Sequence, residues 1–365
     1  MKIECIKEKL SAAISKAEKI TNKNGTLPVL SCIMLETKNQ NLIIRSTNLD
    51  SAFEIEIPAK STIPGKVAVP GVIFSSFISS LKEKSVTLET KDGNLLITTE
   101  HYQTTIKAFS HEDFPNIPRI ETQEHFFVPA KAFLKALRCV SYSASVSSVK
   151  PELASVYIYS EAGFLVFVST DSFRLAEKRL KLKETKDMEP IVVPIKNVND
   201  IVKIFDDSED DIVVASEKNQ ISLSTKSMYF VSRLVDAPFP DYQEIIPKKF
   251  TTETTLLKQD LVDSLKTLSV FSDKFNQANM KIVPSKKSFV LSSKANDVGE
   301  SQSIIDAAVS GEDIDMNFNH RYISECLQSI DSDALSLSFS GATKPLVVRG
   351  VSDSSFTYLV MPMNR

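Results

Sequence analysis

A carboxylate and a guanidinium stand three residues apart at Asp171 and Arg174, the nearest approach to a catalytic pair in this chain. In a cleft, such a pair offers an acid or base beside an anion-binding group. It would still need a nucleophile, a metal or a phosphate loop to complete a reaction centre. The four cysteines, Cys5, Cys32, Cys139 and Cys326, are scattered without CxxC spacing, a pattern of buried thiols rather than disulfides or metal ligands. His101, His111, His125 and His320 lie far apart, and neither HExxH spacing nor a Walker-type phosphate loop occurs. The residues therefore predict no enzyme, no metal and no cofactor. An acid/base enzyme built on Asp171 and Arg174 is one competing reading, and an adaptor of repeated domains without a nucleic-acid role is another.

A second chemistry resides in the lysines. Apolar residues at three- and four-residue spacing predict helices over 7–20, 71–84, 129–142, 194–205, 257–271 and 319–330. The first carries Lys7, Lys9, Lys16 and Lys19; the second Lys82 and Lys84; the third Lys131, Lys135 and Arg138 with no acid; the fourth Lys196 and Lys203. The last two balance. By this count the helices hold about +7 in a chain whose net charge is −3, so strands and loops are acidic. Charge placement, rather than the average, decides what binds. Lysines spread over helices suit phosphate contacts without base readout. The expected DNA-contacting residues are Lys9, Lys16, Lys131, Lys135, Arg138, Lys196 and Lys203 on these helices, and Lys23 just beyond the first. The acidic run from Asp206 to Asp211 reads as a solvated loop after a helix.

Between the helices the period shifts to two. Residues 42–46, 86–90, 95–98 and 221–225 read as half-buried strands, and Asp92-Gly93 sits at the centre of a hairpin turn. Glu161-Ala162-Gly163 and Glu217-Lys218-Asn219 play similar parts. Pro129 and Pro194 suit the first turn of a helix. With 365 residues, 42% hydrophobic and 24% charged, the chain affords two or three soluble domains. No apolar run is long enough to cross a bilayer, and the start is not a signal peptide, so a cytoplasmic location without a membrane partner is expected.

The plan repeats roughly every 120 residues, the size of a domain rather than of a solenoid unit. Ser46-Thr47-Asn48 answers Ser169-Thr170-Asp171, and Val67-Ala68-Val69-Pro70 answers Ile191-Val192-Val193-Pro194. Phe114-Pro115-Asn116-Ile117-Pro118 answers Phe239-Pro240-Asp241-Tyr242. A third copy is fainter, at Ala295-Asn296-Asp297 and Met316-Asn317-Phe318-Asn319. The fold class is therefore α+β, with three similar domains at 1–120, 121–248 and 249–365, each with two helices on antiparallel sheet. Joining neighbouring domains edge to edge would cover their sheet edges. Similar interfaces repeated with a fixed rotation tend to close into rings.

Several stretches resemble the bacterial DNA polymerase III beta subunit, the sliding-clamp family. They are Ser169-Thr170-Asp171-Ser172-Phe173-Arg174-Leu175-Ala176, Phe239-Pro240-Asp241-Tyr242 with Ile246-Pro247, and the terminal Tyr358-Leu359-Val360-Met361-Pro362-Met363. Thr26-Leu27-Pro28-Val29-Leu30 adds to them. The resemblance spans essentially the whole chain. It implies the DNA clamp fold, half of a closed ring per subunit, and a homodimer around double-stranded DNA that tethers the DNA polymerase III catalytic subunit. It further implies a clamp loader, and other polymerases and repair proteins carrying clamp-binding peptides. The implied peptide pocket comprises Leu153, Thr170, Arg174, Leu175, Pro240, Ile245, Asn319, Tyr322, Val360, Met361, Pro362 and Met363. The implied dimer interface brings Thr104 and Ile106 against Val270 and Phe271 of the other subunit. Ser172-Phe173 departs from the family's usual Gly-His, which implies a reshaped pocket, and residues 147–152 lack the usual aromatic and arginine content.

Overall fold

The structure, a computed structural model, describes residues 1–21, 27–122, 125–182 and 188–363, so Lys23 and Thr26 lie outside it. One order of elements runs three times along the chain. The first pass is β1 (Lys2–Ile6), α1 (Lys7–Glu18), β2 (Cys32–Lys38), β3 (Asn41–Thr47), β4 (Ser51–Pro58), β5 (Lys60–Ile63), β6 (Lys66–Pro70), α2 (Gly71–Ser80), β7 (Ser85–Lys91), β8 (Asn94–Thr98) and β9 (Gln103–Ile106). The second is β10 (His125–Pro129), α3 (Ala130–Ser141), β11 (Ser155–Glu161), β12 (Phe164–Thr170), β13 (Arg174–Lys181), β14 (Ile191–Pro194), α4 (Ile195–Phe205), β15 (Asp211–Glu217), β16 (Gln220–Ser224) and β17 (Met228–Arg233). The third is β18 (Thr252–Leu257), α5 (Lys258–Ser269), β19 (Gln277–Val283), β20 (Ser288–Ala295), β21 (Gly299–Ile305), β22 (Ala307–Gly311), β23 (Ile314–Asn319), α6 (His320–Leu327), β24 (Ala334–Phe339), β25 (Leu346–Gly350) and β26 (Phe356–Val360). In each pass a strand enters a helix directly, and three further strands follow the second helix.

The chain divides into two compact units, residues 1–134 with 199–234, and residues 135–198 with 235–365. The first unit holds a five-stranded sheet, β5-β1-β7-β8-β9, and an eight-stranded one, β10-β15-β16-β17-β4-β3-β2-β6. The second holds a nine-stranded sheet, β14-β11-β12-β13-β26-β25-β24-β18-β22, and a four-stranded one, β21-β20-β19-β23. Among the described residues all pairings are antiparallel, the arrangement that short hairpins can join. The expected edge-to-edge joins are present twice. β17 of the second pass pairs with β4 of the first, Ser232 opposite Ser51. β26 of the third pairs with β13 of the second, Val360 opposite Arg174.

The helices form because one stripe of each is apolar. On α1 that stripe is Leu10, Ala13, Ile14 and Ala17, all buried; on α5 it is Leu261, Leu265 and Leu268. α1 packs on α2, β3 and β4, and α5 packs on α6, β20 and β21. Two expectations about helix ends change. α2 stops at Ser80, because Leu81 turns to extended backbone with ψ 143°, so Lys82 and Lys84 lie outside it. The Glu83 carboxylate there accepts the Lys82 N–H and the Thr99 hydroxyl, which holds the chain out of the helix. Pro129 and Pro194 close strands instead of occupying the first helical turn. With these bounds the helices hold about +5, and α2 carries no charge.

The repeated Ser-Thr-Asn/Asp block proves to be one hairpin turn built twice. Thr47 Oγ1 donates to the Ser51 carbonyl at 2.9 Å, and Thr170 Oγ1 to the Arg174 carbonyl at 2.6 Å. Asn48 Oδ1 accepts the N–H groups of Asp50 and Ser51, as Asp171 Oδ1 accepts those of Phe173 and Arg174. Both turns need a left-handed residue, Leu49 at φ 75° and Ser172 at φ 78°. A side chain in that region is strained, so these hydrogen bonds hold a conformation that neither residue prefers. The Asp92-Gly93 hairpin has both central residues at positive φ, as a type I′ turn requires.

Candidate functional site

In the second unit the Thr170 turn, the C-terminal strand and α6 meet around Arg174. Its Nε donates to Asp171 Oδ2 at 2.9 Å, and its Nη1 bonds Glu325. The guanidinium lies over the Tyr322 ring, 4.3 Å from the centroid, and 5.8 Å from that of Tyr142. Burial alone would lower its pKa, but the Glu325 bond and the nearby Tyr358 and Asp171 raise it above the ordinary value, so the charge is fixed. Asp171 spends both oxygens on the turn and on Arg174. The two groups that could have formed an acid/base pair are therefore structural clamps. Among the described residues no group of three or more His, Cys, Asp or Glu is placed to hold a metal ion.

The chain end is laid onto this turn by its backbone. β26 pairs with β13, Leu359 opposite Leu175, and the Met361 N–H then donates to the Phe173 carbonyl at 2.8 Å. The Met363 N–H donates to the Asn317 carbonyl at 2.7 Å, two residues before Asn319, whose side chain caps α6 by accepting the Arg321 N–H. The Tyr358 hydroxyl donates to the Tyr322 carbonyl at 2.8 Å. Segment 239–246 reaches the same place through Tyr242, which is buried in one cluster with Leu175 and Leu359. Tyr242 also bonds Glu177 at 2.6 Å and shares a 2.7 Å bond with Tyr159. Phe239 stacks on Tyr157 at 4.7 Å, as Phe114 packs with Met34 in the first unit.

Of the twelve residues of the expected pocket, Leu153, Thr170, Leu175 and Val360 are buried. Met361, Pro362, Met363, Asn319 and Tyr322 are half-buried, and Pro240 and Ile245 are exposed. Leu153 sits on a separate loop, where its carbonyl accepts the Ser145 N–H. The surface thus offers two thioethers, a proline, an aromatic ring and aliphatic side chains around one immobilised cation. Flexible thioethers adapt to varied apolar anchors. Phe173, expected to reshape the pocket, is 62% exposed on the turn, whereas sequence reasoning missed Glu325 and Tyr142 as partners of Arg174. Glu325 lies 151 residues away, so no local signal could have found it.

The lysines are less uniform than their spacing suggests. Lys9, Lys131, Lys135, Arg138, Lys196 and Lys203 are exposed. Lys16 is mostly buried, with Nζ 2.5 Å from Asp207, and Lys131 lies 3.4 Å from Glu209. The acidic run after α4 is therefore partly a counter-charge for the helices, not wholly a solvated loop. Lys135 pairs with Asp331. Conversely, α5 and α6 balance in charge, yet Lys258, Lys266 and Arg321 line one groove of about 600 Å³.

For the expected interface residues, Thr104 and Ile106 lie on β9, the free edge of the five-stranded sheet. Ile106 faces its own core, 6% exposed, whereas Val270 is 67% exposed. Phe271 lies beside Gly299 at the start of β21, the free edge of the four-stranded sheet.

The sequence matches the DNA polymerase III beta subunit in three consecutive stretches, its N-terminal domain over residues 1–118, central domain over 127–241 and C-terminal domain over 243–364. The beta sliding clamps of Staphylococcus epidermidis and Staphylococcus aureus are each 25% identical to it, over 355 and 357 residues, covering 94% of both chains. The fold matches the crystal structure of the Bacillus subtilis sliding clamp with a TM-score of 0.96 at 23% identity, over 100% of this chain and 99% of that one. It matches the DNA polymerase III beta subunit of Thermotoga maritima at 0.94 and 25% identity, with the same coverage. No helix among the described residues is long and apolar enough to cross a membrane.

Proposed function

We propose, from the premise that this chain belongs to the DNA polymerase III beta subunit family and is a sliding clamp and processivity factor, that it closes as a homodimer around duplex DNA. It performs no chemistry there, acts in the cytoplasm, and tethers the polymerase catalytic subunit and other partners through the surface around Arg174. One observation carries the closure. The second and third passes each end in a strand that pairs with the preceding pass, β17 on β4 and β26 on β13. The first pass ends in β9, which has no preceding pass, and the third presents β21, which has no following one. The two leftover edges are equivalents of the two that join, so β9 of one chain completes β21 of another. Val270 and Phe271 flank that join. Such a head-to-tail contact is heterologous, and it ends in a ring when the rotation closes.

The domains are proposed to divide near residues 120 and 248, with the exposed cations of α1, α3 and α4 facing the duplex. Retention on nicked circular plasmid after loading by a clamp loader, with release on linearisation, tests encirclement. Equal loss from circular and linear DNA would refute it. Changing Lys131, Lys135 and Arg138 together to glutamate is expected to lower DNA affinity and to flatten its log–log salt dependence by roughly two to three units, at about 0.9 for each phosphate no longer neutralised. An unchanged slope would remove those residues from the DNA face.

A further inference from the structure

The first unit repeats the arrangement of the Arg174 site, one pass earlier. Turn Thr47–Ser51 repeats turn Thr170–Arg174 bond for bond. The Arg233 N–H donates to the Asp50 carbonyl at 2.8 Å, as the Met361 N–H donates to the Phe173 carbonyl at 2.8 Å. Pro115 and Asn116 stand where Pro240 and Asp241 stand in the other segment. Between these parts lies a cavity of about 250 Å³, lined among others by Thr47, Leu49, Pro115, Pro118, Val231 and Arg233. That is somewhat below the roughly 300–1,000 Å³ of sites that engulf whole small molecules, a size for one or two anchoring side chains.

The backbone is the same in the two places, but the side chains are not. Arg233 replaces Met361, Ser51 replaces Arg174, and Ser232 replaces Val360. The Arg174 cation is tied to Asp171 and Glu325, whereas Arg233 is exposed and forms no ion pair within the described residues. Leu49, 45% exposed, and the two prolines supply apolar wall beside it. Asp50, also exposed, is the one acid lining the cavity. We propose that this cavity is a second docking pocket for an extended peptide segment of a partner protein, with an aliphatic side chain entering beside Leu49 and a carboxylate on Arg233. Its preference is thus for acidic segments, complementary to the cation that replaces Met361. The inference rests on reading the Arg174 surface as a peptide site.

The test is methyl NMR on the full chain, titrated with N-acetyl-leucyl-glutamate N-methylamide and with its glutamine counterpart. Saturable shifts of the Leu49, Ala52 and Val231 methyls are expected with the glutamate probe. Binding should be about threefold weaker for the glutamine probe and for the Arg233→Met variant, the worth of one exposed ion pair. Asp50→Asn should tighten it by removing a like charge. Absence of shifts at those methyls, equal binding of the two probes, or indifference to Arg233→Met would overturn the proposal. The Leu175 and Leu359 methyls report the Arg174 surface in the same spectra when a clamp-binding peptide is added. Failure there is therefore read separately from failure at Arg233.

Discussion

Replacing Met361 and Met363 together by alanine is expected to weaken binding of a clamp-binding peptide by about a hundredfold while leaving the fold and dimer unchanged. Backbone and side chain have separate roles in this segment. It is seated by the N–H groups of Met361 and Met363 on the carbonyls of Phe173 and Asn317, and alanine keeps both bonds. What disappears is apolar surface. Burying a methionine side chain contributes about 1.5–3 kcal/mol, so two half-buried ones supply most of a hundredfold change. Arg174 should stay in place, because its holders are Asp171, Glu325 and Tyr322. Calorimetry with the peptide, alongside a sedimentation measurement, decides it. A change below about threefold would place the anchor elsewhere.

Thr105→Pro should raise the dimer dissociation constant at least tenfold. The Thr99 N–H donates to the Tyr102 carbonyl at 2.8 Å, and Ile97 then faces Thr104, so by the alternation of an antiparallel ladder the Thr105 N–H points away from β8. Proline there removes an outward donor and no inward one. One ladder bond contributes about 0.5–1.5 kcal/mol, and the ring adds a clash with any strand that pairs with this edge. Thr105→Ala should dimerise normally, because it keeps the donor. Equal sedimentation of wild type and the proline variant would mean that β9 is not the contact edge.

What the amino-acid order made legible was local. The stripe Leu10, Ala13, Ile14 and Ala17 marks α1, and Asp92-Gly93 marks a hairpin, because periodicity and positive φ are properties of short segments. The repeat exposed the turn that is built twice, since both copies need the same Thr donor and an Asn or Asp acceptor. The end of α2 was not legible, because a run of lysine and glutamate continues a helix as readily as it leaves one. Nor was the fate of Lys16, whose partner Asp207 is brought to it only by the fold. The site followed the same rule. The turn and the chain end, which the structure brings together, could be named from the sequence, while Glu325 and the cationic groove between α5 and α6 required tertiary structure.

The two joins within the chain each rest on five residue pairs, Ser51 to Ile55 with β17 and Arg174 to Lys178 with β26. There the polypeptide itself holds the partners at high effective concentration, so a breach heals at once. In the ring proposed above, a contact between β9 and β21 would have no tether of that kind. Mechanical opening of that ring would thereby be directed to the place where one molecule stops and another starts, its position set by chain connectivity rather than by a specially weakened contact.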